Sequence, residues 1–145
     1  MNLRNLKSIL FILPFVFCFG FLNTVASEKK DNNTEEIVKE IISSQLMAFK
    51  EKNIEKAYSF AAPNIKSQFL NAENFGLMVK NGYPVIWRPK NYRFVKFSSN
   101  GTRSIQRVLF RSYTDAILTY DYLLEKFSNE WRISGVIQVN TEGDI

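Results

Sequence analysis

The sequence predicts an α+β domain in which N-terminal helices cover one face of a curved antiparallel sheet. Three observations carry this. Apolar residues recur at helical spacing as far as Asn81-Gly82. From Tyr92 onward they alternate instead, in four runs divided by short turn-forming stretches. The chain has 145 residues, 46% hydrophobic and 23% charged, a balance that fits one globular core.

Residues 1–27 read as a secretory leader. Arg4 and Lys7 give a positive start with no acid, and Ile9 to Leu22 is an uncharged run of 14 residues. Small residues surround the exit at Ala26 and Ser27, either of which suits cleavage. The run is interrupted by Pro14 and falls short of the roughly 20 residues needed to span a bilayer. Export to the periplasm or medium is therefore expected; the alternative is an N-terminal membrane anchor. The sole cysteine, Cys18, lies in the leader, so the exported chain has none to pair.

The elements then follow in order. Residues 28–33 (EKKDNN) are a polar tether, and a helix is expected from Thr34, with Asn32 available as a cap. Ile37, Ile41, Leu46 and Phe49 form its apolar stripe. Lys50 to Asn53 is a charged break. A short helix places Ile54, Ala57, Tyr58 and Ala61 on one face. Pro63 opens another turn carrying Ile65 and Phe69, because its missing N–H is no loss at a first helical position. Phe75, Met78 and Val79 mark a further helix, closed by Asn81-Gly82. Gly82 to Pro89 (GYPVIWRP) is expected to be extended, since residues preceding proline avoid helix. Four strands follow at 92–97, 102–111, 116–127 and 131–139, and residues 141–145 form a tail. Their short separators imply hairpins, so residues 34–140 make one domain.

Alternation assigns faces. Leu118, Tyr120, Tyr122 and Leu124 should meet the helices, as should Trp131, Ile133, Gly135 and Ile137. In the second strand Ser104, Gln106, Val108 and Phe110 go inward, because the opposite set carries Arg103, Arg107 and Arg111, which resist burial. The outer face then holds Ile105, Leu109, Leu123 and Val136 among those arginines. Four large apolar residues on a wet face suggest a homodimer.

Several short blocks then look familiar together. They are Gln45-Leu46-x-Ala48-Phe49, Phe60-Ala61-x-Pro63-x-Ile65, Phe75-x-x-Met78-Val79, Gly82-Tyr83-Pro84-Val85 through Arg88-Pro89, and Trp131-Arg132-Ile133-x-Gly135. The series resembles a bacterial family, domain of unknown function 4864, itself similar to the nuclear-transport-factor-2-like or cystatin-like superfamily. The resemblance covers nearly all of the chain after the leader. Asn53, Ala62 and Trp87 depart from its expected acid, serine and tyrosine. It implies a cone-shaped sheet wrapped by helices, a pocket between them and frequent dimerisation. It implies no activity, because that fold hosts both enzymes and binding modules.

The residues narrow the chemistry. There is no histidine, which removes imidazole base catalysis and His-ligated zinc. No metal or cofactor is called for. A general base would have to be a carboxylate, lysine or tyrosine, yet no acid is predicted to face inward. An isomerase or cyclase is accordingly the third reading. The first is a secreted, non-catalytic module binding a small amphipathic ligand or a protein partner; the second is a homodimeric assembly module without a pocket. Candidate ligand residues are Arg88 beside Trp87 at the cone's mouth, as a clamp for carboxylate or phosphate, with Gln45, Tyr58, Tyr83, Gln106 and Tyr120. Arg88 and Gln45 also have structural readings as ties for irregular backbone. Between Glu73 and Asp115 eight basic residues occur without an acid. That stretch either attracts an anionic ligand, partner or lipid surface or is balanced by acids of neighbouring elements. Nucleic acid is not expected of an exported protein without base-stacking motifs.

Overall fold

A computed structural model describes residues 22–140, with side chains from residue 32 onward. The leader up to residue 21 and the tail at 141–145 lie outside the described residues. Among the described residues five helices precede four strands: α1 Leu22–Lys50, α2 Ile54–Ser59, α3 Pro63–Phe69, α4 Ala72–Gly82, α5 Pro84–Trp87, β1 Asn91–Ser99, β2 Arg103–Arg111, β3 Ile117–Phe127 and β4 Glu130–Val139. The strands form one antiparallel meander in the order β1-β2-β3-β4. No helix among the described residues is long and apolar enough to cross a membrane.

Two helical boundaries differ from expectation. α1 is continuous from Leu22, so the stretch read as a tether is helical and Asn32 caps nothing. No proline or glycine interrupts residues 22–50, and a helix already nucleated by the packed turns extends at little cost. The GYPVIWRP segment is not extended throughout: Pro84–Trp87 is a helical turn with Pro84 at its first position. Proline constrains the residue before it more than those after it. The flanks, Tyr83 (φ −134°, ψ 56°) and Arg88 (φ −146°, ψ 80°), are neither helical nor fully extended.

The shorter helices have identifiable starts. The Asn53 side chain accepts a hydrogen bond from the Lys56 amide (3.1 Å), and Asn71 accepts one from Asn74 (2.8 Å), capping α2 and α4. α2 and α4 cross tightly: a Cβ on Gly76 would lie 2.7 Å from Ile54 Cγ2. In the β1–β2 turn Gly101 sits at φ +91°, a conformation open to glycine.

The core lies between α1 and the inner sheet face. Val38, Ile42, Leu46 and Phe49 of α1 meet Val108, Phe110, Tyr120, Tyr122 and Leu124, all buried. Register explains this sorting in β2 and β3, where Ser104, Gln106, Val108 and Phe110 pair with Leu124, Tyr122, Tyr120 and Leu118.

β4 departs from the expected alternation at one point. Leu123 pairs with Gly135 while Leu124 pairs with Ile133, so Ser134 is an extra, bulged residue. A bulge shifts the faces of everything beyond it. Trp131 and Ile133 point inward as expected, but Val136 and Gln138 then face inward opposite Tyr122 and Tyr120. Ile137 takes the outer position and is 56% exposed. Val136 is thus not an outer-face residue. The bulge is anchored on both sides: Ser134 Oγ donates to the Leu123 carbonyl (3.3 Å), and Asn64 Nδ2 of α3 donates to the Ser134 carbonyl (2.9 Å). Beside it, Ile133 exchanges backbone hydrogen bonds with Phe60 and Ala62, covering that part of the sheet edge.

Candidate functional site

The bulge, α3 and α4 together leave a space their side chains do not fill. A cavity of about 420 Å³ lies between α1, α3, α4 and the inner face of β3–β4. Its wall is mainly apolar, with Phe49, Phe69, Phe75, Met78, Val79 and Ile133 prominent. Phe75 organises the rings: its centroid lies 6.0 Å from those of Phe49 and Phe69 and 5.3 Å from that of Tyr58. Exposed Gln68 and Gly82 also line the cavity, and the bulge brings Gly135 and Val136 to the same wall.

Few polar groups border this space, and no Asp, Glu, Lys or Arg does. Gln45, 3% exposed, donates from Nε2 to the Ala57 carbonyl (3.2 Å), tying α1 to α2. That bond fixes which end of the amide is nitrogen, and Oε1 has no hydrogen-bond partner among the described residues. Tyr122 is completely buried and its hydroxyl has no partner. Burial, helped by the neighbouring Tyr120 and Tyr92, pushes the Tyr122 phenol far above the usual tyrosine range, so it is neutral. Tyr83 completes the polar set at the wall.

The other candidates separate from this cavity. Gln106 faces inward as expected but is wholly buried, and Nε2 donates to the Lys96 (3.1 Å) and Arg107 (3.0 Å) carbonyls. It satisfies the backbone where the β1 register shifts between Phe94 and Lys96, and it does not border the cavity. Tyr58 donates to the Lys66 carbonyl (3.0 Å), so its hydroxyl is structural. Arg88 and Tyr120 line a separate, more open depression of about 570 Å³, with Ser112, Tyr113, Thr114 and Gln138. The Tyr120 hydroxyl reaches Gln138 Oε1 at 3.5 Å, and burial beside Tyr83 raises its pKa. Tyr83 and Tyr120 stand 6.0 Å apart, centroid to centroid, as the partition between the two spaces.

On the outer face the arginines meet acids across the strands. Arg107 makes a two-pronged pair with Asp121 (2.8 and 2.9 Å). Arg103 approaches Glu125 at 3.5 Å and Arg111 approaches Asp115 at 3.7 Å. The basic stretch is thus balanced in part by neighbouring acids, at Arg103, Arg107, Arg111 and Lys90. Ile105, Leu109 and Leu123 lie among these pairs, joined by Ile137. Among the described residues no carboxylate is buried, and no cluster of three or more potential metal ligands exists.

Three residues of the two spaces, Tyr122, Val136 and Gln138, were not among the candidate ligand residues. Tyr122 was legible as inward-facing, and its position directly across from Gln106 is the signal that distinguishes it. Gln138 and Val136 were hidden by the bulge, for which the adjacent Ser134-Gly135 is the sole hint.

The geometry has counterparts. The profile of a family described as a domain of unknown function, DUF4864, matches residues 31–145. Among solved structures, an NTF-2 like protein of unknown function from Shewanella oneidensis MR-1 superposes with a TM-score of 0.50 at 12% identity. The match covers 72% of this chain and 98% of that one, and it is a likeness of fold. No curated protein gives a match.

Proposed function

Because the chain belongs to the DUF4864 family and has the nuclear-transport-factor-2-like α+β fold, we propose that it is a non-catalytic module holding a small amphipathic molecule in the cone. One observation carries this reading: the mainly apolar cavity of roughly 420 Å³ between the helices and the inner sheet face. That volume lies in the usual range for small-molecule sites. The absence of a buried carboxylate among the described residues favours binding over acid–base catalysis. The leader motif supports a site of action in the periplasm or medium.

The direct test uses N-phenylnaphthylamine, an uncharged dye that brightens in apolar surroundings. The purified protein should enhance its fluorescence saturably. Met78→Trp, which puts bulk into the cavity from a half-buried wall position, should abolish the signal while leaving a cooperative thermal transition. No enhancement by the parent protein, and no small molecule released from it on denaturation, would refute the reading. A second reading is favoured by the exposed Ile105 and Ile137 beside Leu109 and Leu123: homodimerisation through the outer sheet face.

A further inference from the structure

We propose that the molecule held is an anionic amphiphile: its apolar chain occupies the cavity, and its oxyanion head lies in the neighbouring depression on Arg88. The inference rests on the cavity being a binding site and names the class of ligand it takes.

Three observations converge. First, the two spaces adjoin. Gly82 borders both, and a Cβ on it would meet nothing within 4 Å. One molecule can therefore lie across Gly82, past the edge of the partition made by Tyr83 and Tyr120.

Second, the two walls differ as the two halves of an amphiphile differ. The cavity wall is mainly apolar and has no Asp, Glu, Lys or Arg, so a charged head entering it would lose water without gaining a counter-charge. The depression has Arg88 and no carboxylate on its wall. The Arg88 side chain makes no hydrogen bond or ion pair among the described residues. Asp115, the acid between Thr114 and Ala116 of that wall, is held by Lys90 at 2.7 Å and approached by Arg111 at 3.7 Å. Its charge is thus taken up elsewhere, and the guanidinium fork of Arg88 is left for a carboxylate, sulfate or phosphate.

Third, the neutral groups of the depression have donors to spare. Ser112 Oγ accepts the Thr114 and Ala116 amides at 3.2 and 3.1 Å. With both lone pairs taken it donates to Thr114 Oγ1 at 2.9 Å, which leaves the Thr114 hydroxyl proton for an outside acceptor. Gln138 Oε1 accepts from Tyr120, which leaves Gln138 Nε2 as a further donor. Guanidinium, hydroxyl and amide donors on a wall without a carboxylate suit an oxyanion and not a cation.

Competition against bound N-phenylnaphthylamine tests the proposal with three probes of one chain length at neutral pH: decanoate, decanol and decyltrimethylammonium. On the parent protein decanoate should displace the dye at a concentration at least about tenfold lower than decyltrimethylammonium. Arg88→Gln should weaken decanoate about tenfold while leaving decanol and the melting temperature unchanged. Lys80→Gln removes an equal charge from an exposed position of α4 outside both walls, and should leave all three probes unaltered. Equal competition by decanoate and decyltrimethylammonium on the parent protein overturns the inference while the cavity reading stands, whatever the stability of the variants. Equal losses for decanoate in Arg88→Gln and Lys80→Gln also overturn it, because the attraction would then belong to net charge and not to a site. Failure of the dye to bind overturns the cavity reading and the inference with it.

Discussion

Single side chains decide several local outcomes, and Gly76 is the plainest. Ile54 occupies the space a Cβ would need, at 2.7 Å, so Gly76→Ala must push α2 away from α4. We expect a loss of about 1–3 kcal/mol, read from urea denaturation. Trimming Ile54→Ala in the same chain removes the clashing Cγ2, so the two changes together should cost less than the sum of each alone. Arg88 is the opposite case. It is exposed, and its side chain makes no hydrogen bond or ion pair among the described residues. Arg88→Ala should therefore stay within the ~0.5 kcal/mol of an ordinary surface change. A large destabilisation would restore the structural role its place between Trp87 and Pro89 suggested. The tyrosines set a pH limit. Folding raises the pKa of Tyr122 and Tyr120 above the ordinary value near 10. Below that value both states keep the phenol neutral and stability is whole. Above it the unfolded chain ionises first, and stability falls as pH climbs toward the folded pKa. Alkaline unfolding followed by circular dichroism should begin near pH ~10, and Tyr122→Phe should move its midpoint upward.

At the scale of elements, the strands were legible because alternation and turn residues are local signals. The inward set Ser104, Gln106, Val108, Phe110 follows from three arginines that could not be buried. Beyond Ser134 the same logic inverted Val136, Ile137 and Gln138. A bulge adds one residue without altering composition, so period-two reasoning continues past it on the wrong face. α5 failed for a related reason. Proline forbids helix behind it yet favours one ahead, and only the packing of buried Val85 and Ile86 on the core decides between them. Of the candidate site, Gln45 was found from its place beside an apolar stripe and Tyr83 as a possible hydroxyl donor. The division into two spaces was invisible, since it depends on where Tyr83 and Tyr120 meet. The bulge itself is testable. Deleting Ser134 should restore regular pairing with Val136 still inward, opposite Tyr122, and remove the carbonyl that Asn64 holds. The expected loss is about 1–3 kcal/mol by urea denaturation, with dye binding retained. Loss of dye binding in the deletion variant would show that the bulge itself, and not only the register it sets, shapes the cavity.

For the whole molecule, the outer sheet face poses a question of association. Two of its arginines are already paired within the chain, Arg107 on Asp121 and Arg103 near Glu125. A second copy docking there would not have to neutralise them, and affinity would have to come from the apolar residues between. Ile137 matters most, because the bulge turns it outward and it is 56% exposed. In a two-fold interface each residue acts twice, so a single Ile137→Lys change places two like charges in the shared surface. The parent protein should sediment at twice its chain mass. Ile137→Lys should weaken association at least about tenfold, the equivalent of about 1.4 kcal/mol. Because Ile137 points to the opposite face of the sheet from the cavity wall, dye binding should persist in the variant. Sedimentation of the parent as a monomer at high protein concentration would remove the dimer and leave these residues as ordinary surface hydrophobes. Loss of dye binding on dissociation would instead show that the sheet's curvature, and with it the cavity, is held in shape by the partner copy.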